Sequence, residues 1–169
     1  MSFSQTLKKV NESEVFKNFI KENPDAELCA GFFIIDFFSN DNKNSIDYKL
    51  GEKIFTFNLR ENGEVKMNED RLIELKGNQK FPKLEKLNPS IKVDVPEVRS
   101  IAQIKALDEG IHSKFNKIIA VLQNQEGNQV WNLTCILDGL IILHLLIDAN
   151  SGDVTKFERK SMMDLIRKK

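Results

Sequence analysis

Apolar positions in the first half of the chain show helical spacing first and strand-like runs afterwards. The apolar residues that share one helix face are Val15, Phe16, Phe19 and Ile20. A capping-box pattern at 11–14 opens this predicted helix. Pro24 ends it, because the residue before a proline disfavours helical conformation. The apolar runs that follow predict strands at 28–38, 46–50, 53–59 and 64–67.

The second half repeats this order of helix and strands. Pro96 suits the first turn of a helix, and a helical stripe runs from Val98 to Ile111. A second stripe predicts a further helical segment through Phe115, Ile118, Ile119 and Leu122. Strands are predicted at 130–137, 140–148 and 154–157, and the first of them carries Trp131, Leu133, Cys135 and Leu137 on one face. Ser161 and Asp164 open a predicted short C-terminal helix.

Residues 76–92 separate the two halves. They hold two prolines, and five lysines against one glutamate, which predicts a basic linker. The linker divides a first α+β repeat at 1–75 from a second at 93–169, which includes the C-terminal helix. The expected fold class is therefore α+β, with two tandem repeats that each pack a helix on a small antiparallel β-sheet.

Two stretches carry a resemblance to a known family. Residues 147–154, Ile-Asp-Ala-Asn-Ser-Gly-Asp-Val, resemble the closing hairpin of PepSY-type domains. Residues 59–65, Leu-Arg-Glu-Asn-Gly-Glu-Val, are similar to that hairpin in the first half. PepSY-type domains are helix-plus-three-strand modules. The resemblance implies a non-catalytic module associated with inhibiting or regulating other proteins, often peptidases.

The segment 32–38 is apolar on both faces of its predicted strand. A helix of the same repeat can cover one face, and the other face then needs the second repeat or another chain. The sequence leaves both alternatives open: burial between the two halves, or a homodimer.

Charge and cysteine content exclude several classes of function. Lysine plus arginine number 25, as do aspartate plus glutamate, so nucleic acid is not an expected partner. No cysteine or histidine pair has the short spacing of a structural zinc site, and no phosphate-binding loop or nucleophile motif occurs. We therefore predict neither a metal nor a cofactor. Cys29 and Cys135 lie in apolar stretches, which predicts buried free thiols.

The N-terminal residues lack the pattern of a secretory signal. The longest apolar run, at 140–147, is too short to span a membrane. A cytoplasmic location is therefore expected.

Four residues are candidates for a ligand pocket between helix and sheet. Asp36 and Asp138 lie at the ends of apolar strands, His144 lies within a strand, and Trp131 shares a strand face with Cys135. The aspartates also have a structural interpretation, since such carboxylates bind turn amides. The histidine can likewise be satisfied within a core or an interface.

The expected function is non-catalytic binding of a protein or peptide, in a regulatory role, and an exposed strand edge could accept a peptide by strand addition. The alternative is a small-ligand or enzymatic pocket that uses Asp36, Asp138 or His144.

Overall fold

The computed structural model of the protein describes residues 1–39, 41–71 and 84–161. Its helices are α1 (Phe3–Glu12), α2 (Glu14–Glu22) and α3 (Val95–Asp108). Its strands are β1 (Glu27–Asp36), β2 (Lys43–Leu50), β3 (Lys53–Leu59), β4 (Val65–Arg71), β5 (Phe115–Gln125), β6 (Asn128–Leu137), β7 (Ile141–Asp148) and β8 (Val154–Ser161). The α+β class is confirmed.

All eight strands form one antiparallel sheet in the order β4-β3-β2-β1-β5-β6-β7-β8. The expectation of two tandem repeats with separate small sheets is wrong, because β1 pairs with β2 on one side and with β5 on the other. Pairing β1 with β5 satisfies backbone groups that two separate sheets would leave at exposed edges. Side-chain periodicity shows which faces are apolar, but it carries no information about which edges pair.

The helical segment predicted at 115–122 is a strand. In β5, Ile118, Ala120 and Leu122 are fully buried, while Ile119 and Val121 lie on the opposite face and are half-buried. Residues 118–122 are apolar at every position, Ala120 included, so the run fits the spacing of a helix as well as that of a strand. Pairing with β1 and β6 along most of its length decides the conformation.

Helix α1 was not predicted from the sequence, although it carries a complete capping box. The Ser2 hydroxyl accepts a hydrogen bond from the Gln5 amide at 3.1 Å, and the Gln5 side-chain oxygen accepts one from the Ser2 amide at 3.1 Å. Its apolar face is short, with Phe3 and Val10 fully buried. Helix α2 begins after Ser13, which caps it through the amide of Phe16 at 3.2 Å.

One carboxylate joins the helices of the two halves. Asp94 is the N-cap of α3, where it accepts a hydrogen bond from the Val95 amide at 2.7 Å. The same carboxylate accepts the Phe3 amide of α1 at 2.6 Å and the Ser4 hydroxyl at 3.0 Å. Amides at the start of two helices therefore share one negative charge, which is favourable because helix N-termini carry partial positive charge.

The helices all pack on one face of the sheet, and the core lies between them. Phe16 and Phe19 of α2 contact the Phe57 ring, with ring centroids 5.4 and 5.2 Å away. Gly31 lets α1 approach β1, since a Cβ at this position would lie 2.9 Å from the Phe3 ring. Trp131 packs on Phe33, and the core is continuous across both halves.

The described part of the predicted linker packs against the sheet. Leu87 is buried and its amide donates to Leu28 O at 2.8 Å, while the amides of Lys92 and Val93 both donate to Ala149 O. The remainder of the predicted linker, up to residue 83, and the predicted helix after Ser161 lie outside the described residues.

Candidate functional site

The sheet has a second face, which we call the outer face, on the side away from the helices. In antiparallel sheets of this kind, a face that lies open to water usually carries polar side chains. Here the middle strands are apolar on this face too, with Phe32 and Ile34 on β1 and Ile119 and Val121 on β5. No described helix packs on them, and all four are half-buried.

Strand register arranges the outer face in cross-strand rows. The central row is Lys43, Ile34, Ile119, Thr134, His144 and Glu158, from β2 to β8. The row on one side of it is Ser45, Phe32, Val121, Asn132, Leu146 and Lys156. The row on the other side, starting on β1, is Asp36, Lys117, Ile136, Ile142 and Lys160.

These rows define an apolar patch. We give this name to Phe32, Ile34, Ile119, Val121, Ile136, Ile142 and Leu146. Directly opposed side chains on neighbouring strands lie about 4.5–5.5 Å apart at Cβ, so Phe32 meets Val121 and Ile34 meets Ile119. Ile136 and Ile142 oppose each other in the same way. The patch therefore consists of an apolar cluster on β1 and β5 and smaller apolar groups on β6 and β7, with Asn132, Thr134 and His144 between them.

His144 lies beside the apolar patch in a polar setting. Its Nε2 is 2.8 Å from Asn132 Oδ1 across β6, an arrangement in which the ring donates to the amide oxygen. Burial lowers the pKa of His144, and the positive charge of Lys156 lowers it further, while Glu158 opposes this shift. The imidazole is therefore held neutral near pH 7 and behaves as a polar member of the face.

Charges of both signs border the apolar patch. Lys43 opposes Ile34, and Lys156 opposes Leu146. Glu158 lies 3.4 Å from the Lys156 ammonium and 3.8 Å from that of Lys160. Such exposed ion pairs contribute little to folding stability, so these groups are available to a partner at small cost.

The structure does not bring the four sequence-predicted candidates together. Asp36 ends β1, where its Oδ1 accepts the amides of Phe38 and Ser39 at 2.9 and 3.1 Å. These two hydrogen bonds lower the pKa of Asp36. Its carboxylate is thus used to hold the turn after β1, as the structural interpretation expects.

Asp138 lies in the exposed turn between β6 and β7, and its backbone amide donates to Lys114 O at 2.9 Å. Trp131 is fully buried on the helix-covered face, where its Nε1 donates to Val93 O at 2.8 Å. His144 is on the opposite face of the sheet. Trp131 and His144 therefore cannot line one pocket.

Two surface grooves lie elsewhere. One of about 400 Å³ lies between the end of α3 and the turn after β1, and its lining includes Phe37, Phe38, Leu107, Ile111, His112 and Phe115. Another of about 600 Å³ lies at the β5–β6 turn, and its lining includes Glu85, Gln123, Gln125, Glu126, Asn128 and Asp148. Neither is lined by any of the four candidates.

The cysteines are free and buried, as predicted. Burial raises the pKa of both Cys29 and Cys135 to about 12, so neither is a reactive nucleophile near neutral pH. Within the described ranges, no three side chains among His, Cys, Asp and Glu form a group that could hold a metal ion. Of the helices in the same ranges, none is long and apolar enough to cross a membrane.

Sequence reasoning missed most of the apolar patch. Phe32 and Ile34 were recognised as needing a cover, but Ile119 and Val121 were assigned to a helix. The signal that could have found them is the continuous apolar run at 118–122, which, like 32–38, is consistent with a strand that has two apolar faces.

Comparison with known proteins informs the fold alone. No protein-family model matches the chain, and no curated protein matches it. The chain is similar in structure to a putative lipoprotein from Clostridium difficile 630. The two share 13% sequence identity with a TM-score of 0.56, over 87% of this chain and 91% of that one.

Proposed function

We propose that the protein is a non-catalytic protein-binding module and that the outer face is its binding surface. The observation that carries this proposal is the apolar patch, which no described part of the chain covers. Clustered, partly exposed apolar side chains mark interaction sites more often than isolated apolar residues do. The two central strands are apolar on both faces, which folding of the described chain alone does not require.

The proposed partner presents an apolar surface with charges of both signs around it. A partner of this kind would bury the apolar patch and pair with the lysines and Glu158 at its border. Interfaces are commonly built in this way, with an apolar centre and a polar rim.

The face is a better binding surface than the sheet edges. β8 is one edge strand, and its exposed residues include Lys156, Arg159 and Lys160. Charged side chains, lysines above all, are the usual means of preventing other strands from pairing with an edge. Strand addition is therefore the weaker form of the binding hypothesis.

The PepSY-type resemblance supports the same class of function. Residues 147–154 contain the turn between β7 and β8, where Asp148 Oδ1 accepts the amides of Asn150 and Ser151 at 2.8 and 2.9 Å. Residues 59–65 contain the corresponding turn between β3 and β4. A regulatory role in the cytoplasm is part of the proposal, and the two free thiols are compatible with that compartment.

Photo-crosslinking in the cells that make the protein tests the proposal. p-Benzoylphenylalanine replaces Ile119 on the outer face or, as the control, Ile104, which lies on α3 and is 59% exposed. We expect a discrete adduct from position 119 and none from position 104. The adduct is identified by mass spectrometry, and its protein is purified and titrated against the chain.

In that titration, Val121→Lys should weaken binding at least tenfold, whereas Ile104→Lys should leave it unchanged. Near-ultraviolet circular dichroism checks that each variant is folded. The proposal is wrong if position 119 gives no adduct, or if the purified protein binds equally well to both variants.

A further inference from the structure

We propose that the groove between the end of α3 and the turn after β1 binds a small carboxylic acid with an apolar body. We call it the α3 groove, and its lining includes Phe38, Leu107 and Lys114. No residue of the apolar patch lines it. This site is therefore separate from the proposed binding surface on the outer face.

The size and lining of the α3 groove suit a small molecule. Its volume is about 400 Å³, and sites for small ligands usually enclose about 300–1,000 Å³. Most of the lining is apolar, and three phenylalanine rings contribute to it. A few polar side chains, among them Gln103 and Ser113, complete it. A mainly apolar lining with a few polar groups is typical of small-ligand sites.

Both walls of the α3 groove are held by contacts within the chain. On the β1 side, the Phe37 amide donates to Asn116 O at 3.0 Å, and the Arg99 guanidinium lies 4.4 Å from the centroid of the Phe37 ring. The centroids of the Phe37 and Phe115 rings are 6.1 Å apart. On the α3 side, Ile111 is buried, and its amide donates to a carbonyl oxygen of α3 at 2.9 Å. The groove is therefore formed before a ligand binds, which reduces the entropy lost on binding.

Two apolar side chains of the α3 groove remain largely exposed. Phe38 is 71% exposed and Leu107 is 58% exposed. The carboxylate of Asp36 fixes the turn that presents Phe38, because it accepts the amides of Phe38 and Ser39. An apolar ligand body that covers Phe38 and Leu107 removes their surface from water, which is the main favourable contribution to binding.

The charge of the lining indicates the second part of the ligand. Lys114 lines the α3 groove, and its ammonium group makes no ion pair with any described residue. No aspartate or glutamate is among the described residues that line the groove. His112 adds a ring nitrogen that can donate a hydrogen bond. A carboxylate is the group that complements such a lining, because it accepts hydrogen bonds and pairs with an ammonium group.

Three acidic residues lie close to the lining in the chain or in space, and none of them neutralises Lys114. Glu109 pairs with Lys105 at 2.8 Å. Asp108 is exposed at the end of α3, where water and salt screen its charge. The amide of Asp138 donates to Lys114 O, but its carboxylate makes no ion pair with the Lys114 ammonium. The charge of Lys114 therefore remains open to an anionic ligand.

An NMR titration of the isotope-labelled full-length chain with octanoate tests the proposal. We expect saturable shift changes at the amides that line the α3 groove, with a Kd of roughly 0.05–1 mM, the range of a ligand of about ten non-hydrogen atoms in an open groove. Octanamide has the same apolar body without the charge, and octylamine has the opposite charge. Octanoate should bind about fivefold more tightly than octanamide, and octylamine should bind most weakly, because Lys114 attracts only the acid.

Two pairs of variants locate the site. Leu107→Ser should weaken octanoate binding about threefold or more, whereas Ile104→Ser, one turn earlier on α3 and equally exposed, should leave it unchanged. Lys114→Gln should bring the affinities for octanoate and octanamide to within about twofold of each other. Lys117→Gln on the outer face is the control and should preserve the difference. Leu107 and Lys114 are both exposed, so loss of binding is not confused with loss of folding.

Absence of saturable shift changes up to about 5 mM octanoate overturns the proposal. So do equal affinities of the unchanged protein for octanoate and octanamide, shift changes confined to the outer face, or a Leu107→Ser variant that binds as tightly as Ile104→Ser. These results leave the proposed function untouched, because crosslinking at position 119 probes the opposite face of the sheet.

Discussion

The two faces of the sheet differ in what covers them, although both contain apolar residues. On the helix-covered face, Trp131 and Phe33 are almost completely buried, and three helices supply the second layer. On the outer face, Ile119 and Val121 are only half-buried by their neighbours in the sheet. The first face accounts for folding of the chain. The second retains apolar surface that the described residues do not fully bury.

Truncating one side chain on each face tests most directly whether the two faces contribute differently to folding stability. Trp131→Ala should lower the free energy of unfolding by about 3–5 kcal/mol, because it leaves a cavity and removes the hydrogen bond that Nε1 donates to Val93 O. Val121→Ala should cost about 1 kcal/mol or less, since its side chain is only partly buried and the substitution leaves no enclosed cavity. Urea denaturation of both variants provides the measurement. Equal losses would show that the two faces contribute alike to folding.

The close approach of α1 to the sheet should give the next largest effect. Gly31→Ala places a Cβ 2.9 Å from the Phe3 ring and 3.0 Å from the Phe33 ring. We expect a loss of about 1–3 kcal/mol in the free energy of unfolding, because a packed core relieves such an overlap only by shifting side chains or backbone. Thermal denaturation by circular dichroism measures it, with Thr134→Ala on the outer face as the control. A Gly31→Ala protein as stable as the unchanged one would contradict the tight contact of α1.

Titration of His144 should give a smaller effect, confined to the outer face. The groups that face its ring are Asn132 and Thr134 on β6, and Lys156, Glu158 and Lys160 on β8. Its pKa lies below the ordinary value of 6.5, so the folded chain binds this proton less readily than the unfolded chain does. Stability should therefore be unaffected above pH 6.5 and fall as the pH drops below that value.

The change in stability from His144 should stay below about 1 kcal/mol, since the charged side chains around the partly buried ring are exposed and screened by solvent. His144→Gln keeps a polar side chain without the titration and should remove this part of the pH dependence. An NMR titration checks the direction directly, and a His144 pKa above 6.5 would contradict it.

The last comparison concerns thiol chemistry, which does not alter stability, and sets both cysteines in the folded protein against the same residues in the denatured chain. Burial raises the pKa of Cys29 and Cys135 to about 12, so very little thiolate is present at pH 8. Alkylation by iodoacetamide should be at least about 100-fold slower in the folded protein than in urea. Mass spectrometry of each cysteine over time gives the rates. Fast modification of either one in the folded protein would show that its surroundings open locally.

Local sequence patterns identified many helices and strands because short-range interactions determine where these elements begin and end. Turn residues and side-chain alternation account for several of them. These are the end of α2 before Pro24, the strand at 53–59, the helix that starts near Pro96 and the buried face of β6. Helix α1 was missed because its apolar face is short, although the Ser2–Gln5 capping box was present. The segment at 115–122 was misassigned because a short apolar run fits both periods.

The candidate site was harder to predict from the sequence than the helices and strands. Asp36 and Asp138 were singled out as charged residues at the ends of apolar strands, but the structure assigns the Asp36 carboxylate to turn amides and places Asp138 in an exposed turn. Recognising the apolar patch required the register between β1 and β5, which joins residues about 90 positions apart in the chain. No local pattern encodes a pairing of that kind.

The sequence by itself determined that both faces of the strand at 32–38 are apolar, because alternation directly reports which side chains share a face. It also determined the balanced charge and the buried thiols. Only the tertiary structure decided that the second half extends the sheet edge to edge instead of stacking on it. That choice depends on hydrogen bonding between distant strand edges, and it leaves the outer face without a layer of described helices.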